Sequence, residues 1–320
     1  MFKTPILFLI YNRPDKTRLV FKVLKQLKPK YLYVAADGPN QNRHSDAERC
    51  LITRDIIINN IDWDCELMTL FNSSNLGCGL SVSKAITWFF ENVEYGIILE
   101  DDCLPHISFF YFCEDLLRFH KNNCAITSIA GTSLPSNTYS TTDSYIFTQY
   151  CLIWGWATWR RAWKNYDYSL SSWPILRKSN FLNKISKDRK RFVWQWQNIF
   201  DKVWSKEIDT WDYQWTYTNF LRGGMCIVPI RNLIKNIGFD EEGTHTKQEH
   251  FLFSHTVLEE ICFPLKHPEN IYLNSRADVY LTDNWMGVTQ KEFYKIIFFQ
   301  SKLIKLLVKT KQFFIKWRKK

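Results

Sequence analysis

The chain has 320 residues, 46% of them hydrophobic and 23% charged, which is enough for a substantial core and excludes wholesale disorder. The formal charge of +10 is concentrated at one end: from Lys291 to Lys320 ten Lys and Arg stand against Glu292 alone, a net +9, leaving about +1 for the remainder. Nine cysteines without one C-x-x-C spacing argue against a zinc cluster and a disulfide framework and suit buried, reduced thiols in a cytosolic compartment; no apolar run reaches the length of a spanning helix.

Ile6 to Tyr11 reads as a buried first strand rather than a signal segment, since Asn12-Arg13-Pro14-Asp15 follows at once and no small-x-small cleavage site does. Thr17 to Leu27 has helical spacing, with Leu19, Val20, Val23, Leu24 and Leu27 on one stripe. Tyr31 to Ala36 is strand-like and stops at Asp37-Gly38-Pro39; Asp46 to Asn60 is helical, and Glu66 to Phe71 is a third strand. Asn75 to Leu80 is a glycine loop feeding a helix over Ser81 to Asn92; it matches neither the P-loop nor the G-x-G-x-x-G pattern. Gly96 to Leu99 is a fourth strand, ending at Glu100-Asp101-Asp102.

Phe109 to His120 predicts a helix and Ala125 to Ala130 a strand, after which residues 131–150 read as loop or short strands. Trp154 to Trp159 opens an aromatic, basic helical stretch. Residues 186–222 read as helical with Asp209 to Trp215 embedded, Ile227 to Ile230 as a strand, and Gly238 to Gln248 as a polar loop. Strands alternating with helices predict an α/β fold with a mostly parallel sheet covered on both faces, whose ligands bind beyond the carboxyl ends of the strands. The polar clusters at Arg13, Asp37 and Asp101 all fall at such ends.

Three adjacent carboxylates repel one another unless a cation compensates them, and a hard divalent ion would also leave positions for phosphate oxygens. The same triplet also reads as an acidic loop capping the next helix. Arg13 suits a diphosphate or a surface ion pair; Asp37 suits a nucleobase N–H, a ribose hydroxyl or a plain turn. Trp154, Trp156 and Trp159 could face a sugar, but that spacing more often belongs to packing.

Taken in order, Tyr11-Asn12-Arg13, Ala36-Asp37-Gly38, Ile98 to Asp102, Phe109 to Phe112, Gly155-Trp156, Trp211 to Trp215, Pro229-Ile230-Arg231 and Gly243-Thr244-His245 resemble the GT-A glycosyltransferase fold. The closer resemblance is to the inverting N-acetylglucosaminyltransferase I type and its bacterial relatives, over roughly residues 5–255. That resemblance implies a Rossmann-like catalytic domain over 1–285 using a UDP-sugar donor. It implies Mn2+ (or Mg2+) on Asp102, donor sugar and ribose contacts from Glu100 and Asp101, the diphosphate on Arg13 and uracil on Asp37. Lys84 falls near a donor-contacting basic position, and His245 would touch the diphosphate or complete a lid. The family's base is an aspartate in a W-D-D-W segment; Trp211-Asp212-Tyr213-Gln214-Trp215 departs from it, with Asp212 as the base and Asp209 as the alternative.

The basic tail, 286–320, puts lysines on one helical face and Ile296, Leu303, Ile304, Leu307, Phe314 and Ile315 on the other, as an amphipathic helix at an anionic membrane surface would. The expectation is a cytoplasmic enzyme, peripheral on the inner membrane face, that glycosylates a glycan or lipid-linked saccharide and binds no nucleic acid. The rival readings are a sugar-phosphate nucleotidyltransferase and a non-catalytic basic binding protein.

Overall fold

The structure is a computed structural model that describes residues 1–186, 189–239 and 257–284, with Phe293, Lys295 and Phe298 in addition. Its first half repeats a strand and a helix: β1 (Ile6–Ile10), α1 (Pro14–Leu27), β2 (Tyr31–Ala36), α2 (Asp46–Ile58), β3 (Glu66–Phe71), α3 (Cys78–Asn92) and β4 (Tyr95–Glu100). Then follow β5 (Cys103–Pro105), α4 (Ile107–Phe119), β6 (Ile126–Ala130), β7 (Tyr145–Thr148) and β8 (Trp156–Trp159). Beyond these come α5 (Arg160–Trp163), α6 (Trp173–Leu176), α7 (Phe181–Ser186), α8 (Lys190–Trp204), α9 (Asp212–Arg222), β9 (Met225–Pro229), β10 (Ile234–Asn236) and α10 (Ser275–Asn284).

One eight-stranded sheet, in the order β3-β2-β1-β4-β8-β6-β9-β7, carries the molecule, and β5 pairs with β10 in a separate ribbon. The first four strands are mutually parallel; β8 runs against both β4 and β6, and β7 against β9, so the sheet is mostly parallel. All five residues of β1 are buried, as a strand covered by helices on both faces requires. Two apolar clusters result. One lies under α1 and α4, around Phe8, Phe110 and Leu116; the other lies under α3, α8 and α9, around Phe89, Trp156 and Trp196. Registers Ile10↔Ala36, Ala36↔Phe71 and Leu9↔Glu100 bring the carboxyl ends of β1 to β4 to one edge, where β8 begins opposite Ile98.

Several expectations are corrected. Trp154 to Trp159 does not open a helix: Trp156 to Trp159 is the strand β8, and only four helical residues follow. Fully buried Trp156 stacks on Trp211 at 5.6 Å, and buried Trp159 donates its indole N–H to the Leu117 carbonyl, so these two rings are core, while Trp154 is half-buried. The helical stretch 186–222 is two helices broken over 205–211, because Lys206 takes a left-handed backbone (φ 63) and the chain turns there. Leu19 is exposed, and Phe21 takes its place on the buried stripe of α1. All nine cysteines are free, but Cys124 and Cys262 are exposed rather than core thiols. His245 and nearly all of the tail lie outside the described residues. Among the described residues no helix is long and apolar enough to cross a membrane.

Candidate active site

The turn after β1 delivers three residues to the sheet edge. The Tyr11 backbone N–H donates to Asp101 Oδ2 (3.1 Å), and Arg13 Nη1 donates to Asp102 Oδ2 (2.6 Å) and stands 3.7 Å from Asp101 Oδ1. A proline at the first position of α1 starts that helix at once, which fixes Arg13 at its N-terminal boundary and turns its side chain across to β4. The turn is held from below by Asp46, a buried carboxylate that accepts from the Tyr11 hydroxyl (2.6 Å), Asn12 Nδ2 and the Asn40 N–H (2.6 Å). Arg49 adds a bond from Nε to the Asn12 carbonyl (2.8 Å). Sequence reasoning missed Asp46, because a carboxylate at the start of a helix reads as ordinary helix-terminal chemistry.

Glu100, Asp101 and Asp102 gather more negative charge than Arg13 offsets. Burial first, and then the Asp102 charge, push the Asp101 carboxyl up to about 7, against the pull of Arg13. Glu100 is held well above the usual carboxylate range by burial and by Asp102, Asp101 and Asp212, in that order. Its buried Oε1 has no hydrogen-bond partner among the described residues. Arg13 responds in the opposite sense: burial disfavours its charge, but Asp101 and Asp102 outweigh that and raise its pKa. Among the described residues no three His, Cys, Asp or Glu are placed to hold a metal ion together. A divalent cation held here by Asp102 would therefore take most of its ligands from phosphate and water, as Mg2+ and Mn2+ commonly do. The partnerless Glu100 oxygen and the excess of carboxylates over guanidinium fit such an ion.

Asp37 is equipped differently. Its carboxylate accepts from the N–H groups of Gly38, Leu76 and Gly77 and from the side-chain amides of Asn72 and Asn75, at 2.9–3.2 Å. Those bonds lash the β3–α3 loop to the end of β2, where Gly38 lies so close to the Ser74 backbone that no Cβ would fit. A ligand N–H at Asp37 would compete with donors already in place. Lys84 is exposed on α3, and no hydrogen bond or ion pair among the described residues joins it to this cluster.

The second half supplies the opposite wall. Asp212 is the first residue of α9, where the helix dipole favours an anion, and its Oδ1 accepts from the Thr210 hydroxyl. Although 112 residues from Glu100 in sequence, it is close enough to contribute to the rise in the Glu100 pKa. Asp209 sits on the start of α3: its Oδ1 accepts the Gly79 N–H (3.0 Å), and a Cβ at Gly77 or Gly79 would come to 2.5 Å from its carboxylate oxygens. The glycines of the Asn75 to Gly79 loop thus make room for Asp209, and one N–H of the loop is already taken by it. Cys78 lies in the field of Glu100, Asp212, Asp209 and Arg13, and its thiol is pushed up chiefly by burial. The structure therefore brings Arg13, Glu100, Asp101, Asp102 and Asp212 around one edge, and it separates Asp209 (a loop anchor) from Asp212.

No family model matches this chain, and no curated protein matches it. Among solved structures, HddC from Yersinia pseudotuberculosis aligns over 50% of this chain and 78% of its own, at 9% identity and a TM-score of 0.30. A 4-diphosphocytidyl-2C-methyl-D-erythritol synthase from Anaerococcus prevotii aligns over 53% and 76%, at 13% identity and a TM-score of 0.33. At those values neither likeness bears on the chemistry of this edge.

Proposed function

We propose that the chain is a GT-A glycosyltransferase that moves a sugar from a nucleotide-diphosphate donor, UDP-N-acetylglucosamine or a related UDP-sugar, to a hydroxyl of a glycan acceptor with inversion. The product would belong to a surface polysaccharide or glycolipid. The observation that carries this reading is the meeting of Arg13 and an under-compensated carboxylate cluster on the first half with Asp212 from the second, at the edge where parallel α/β sheets bind ligands.

In this reading Asp102 holds Mn2+ or Mg2+, which when bound neutralises charge on the departing diphosphate. Arg13 exchanges Asp102 for two oxygens of the diphosphate, the paired acceptors that a guanidinium group favours. Glu100 and Asp101 accept from or donate to hydroxyls of the donor. Asp212 takes the acceptor hydroxyl proton on the face opposite the leaving group, the role an inverting transfer requires of one carboxylate. The tail, 291–320, would hold the enzyme at an anionic membrane surface, the side from which a lipid-linked saccharide is reached.

The test is thermal unfolding with UDP and Mn2+. Saturation near 100 Kd stabilises a folded protein by about 2.7 kcal/mol, a Tm rise of several degrees, and Asp102→Ala abolishes it. Turnover decides the class: release of UDP from a UDP-sugar supports transfer, whereas consumption of a nucleoside triphosphate with a sugar phosphate would replace this reading by nucleotidyl transfer. Liposome flotation of the full chain against a chain ending at 290 tests the tail; equal binding ends the membrane proposal.

A further inference from the structure

The ribbon of β5 and β10 brings a segment from the second half of the chain onto the acidic triplet. β10 pairs with β5 antiparallel, from Ile234↔Pro105 to Asn236↔Cys103, and the next residue continues the ladder: the Ile237 N–H donates to the Asp102 carbonyl (2.8 Å). The segment is held on both sides of that bond. Before it, the Leu233 N–H donates to the Gly131 carbonyl (2.9 Å), and the buried Ile234 side chain fills room that Gly131 and Gly155 leave open. After it, Phe239 meets the Trp154 ring edge-on (5.4 Å, 76°).

Gly238, between these anchors, lies directly against the Asp102 side chain. It is buried, and its N–H donates to Asn236 Oδ1 (2.7 Å), which fixes the backbone there. A Cβ on Gly238 would overlap Asp102 Oδ2, the oxygen that accepts from Arg13 Nη1, and would stand 3.0 Å from Asn236 Oδ1. Backbone conformation does not call for this glycine: among the described glycines φ is positive at Gly77, Gly155 and Gly223, not at Gly238. Position 238 needs room. A side chain there would displace the carboxylate, because the end of a short side chain moves more cheaply than a backbone held on both sides.

We infer that Gly238 is a positioning residue for this site: by carrying no side chain it seats the Asp102 carboxylate against Arg13, in the place from which Asp102 would hold the cation. The cation's part rests on the glycosyltransferase reading above; the packing of Gly238 on Asp102 does not. Gly238 acts through Asp102 and not on the nucleotide. Its substitution therefore alters how strongly a metal tightens UDP binding, and does not lower the metal-free affinity. Supports of this kind decide whether a ligating carboxylate is held in the right orientation.

The experiment has two arms, both on the full chain. In the first, calorimetry measures UDP affinity in Mn2+ and in EDTA. Mn2+ tightens UDP binding to the wild-type chain about tenfold or more, and in Gly238→Ala that enhancement falls to about twofold, with no loss of affinity in EDTA. Asn236→Ala, which adds no atom and only loosens Gly238, loses about two- to threefold of the enhancement and decides this arm if Gly238→Ala does not fold. The second arm is urea unfolding of wild type, Gly238→Ala, Asp102→Ala and the double variant. The loss caused by Gly238→Ala disappears once the Asp102 side chain is gone, as contact between the two positions requires. Undiminished enhancement in the deciding variant, an equal loss of UDP affinity in EDTA, or an unfolding loss that persists without the Asp102 side chain overturns the inference. A wild-type chain whose UDP affinity ignores Mn2+ brings down the metal-dependent reading; the unfolding cycle, which needs no ligand, still decides whether Gly238 seats Asp102.

Discussion

Two strand ends at the same edge of the sheet carry buried carboxylates and have opposite needs. At the end of β2, Asp37 is surrounded by backbone and side-chain donors, and its charge is spent on holding a loop. At the end of β4, Glu100 has a buried oxygen with no described partner, and Asp101 and Asp102 share one guanidinium. An acid counted by type and position looks the same at both ends. Whether it holds the fold together or waits for a ligand depends on its supply of donors.

That contrast can be broken by substitution. Asp37→Ala orphans three backbone N–H groups and takes one acceptor from each of two side-chain amides, and is expected to cost about 3–5 kcal/mol in denaturant unfolding, with Asp37→Asn recovering part of it. A loss below about 1 kcal/mol would erase the distinction. The acidic end answers to pH. A carboxyl raised to about 7 binds a proton in the folded state that the unfolded chain, titrating near 4, has released. Stability is thus largest below about pH 4 for this group and falls as pH rises toward 7, by about 4 kcal/mol at most. Asp101→Asn flattens that limb, as urea unfolding at several pH values would show.

Asp209→Ala removes one acceptor from the start of α3 and is expected to cost about 1–2 kcal/mol, the range for losing a helix N-terminal acceptor. Asp209→Asn should come close to wild type, since the amide oxygen can still accept. Asp102→Ala comes last. Removing one of several mutually repelling charges should shift the stability of the free protein by no more than about 1 kcal/mol, while it removes the protection given by UDP with Mn2+. A large intrinsic loss would place Asp102 with Asp37, as a structural acid.

The first half was readable because its information is local. Tyr31–Ala36 and Glu66–Phe71 are strands with the expected bounds, since each is a short apolar run closed by turn residues. The acidic triplet at the end of β4 followed from the same alternation. The second half was harder. Trp156 to Trp159 carries no periodic signal that separates a buried strand from a helix, and its pairing with β4 joins residues some sixty positions apart. Asp46 and Asp209 were opaque for a related reason: each is defined by a partner 34 or more positions away, Tyr11 and Asn12 in one case and Gly79 in the other. Nothing within a few residues of Asp209 says that a glycine loop will arrive there.

The bond from Gly79 to Asp209 spans 130 residues of chain, and this has a consequence for synthesis on the ribosome. The strands that bear Arg13 and the acidic triplet emerge first, but the helix facing them has its opening turn completed only when the much later aspartate arrives. A nascent chain stalled before that point would expose a finished sheet edge with an unfinished mouth. The mouth of this edge is therefore completed only after about two thirds of the chain has been made.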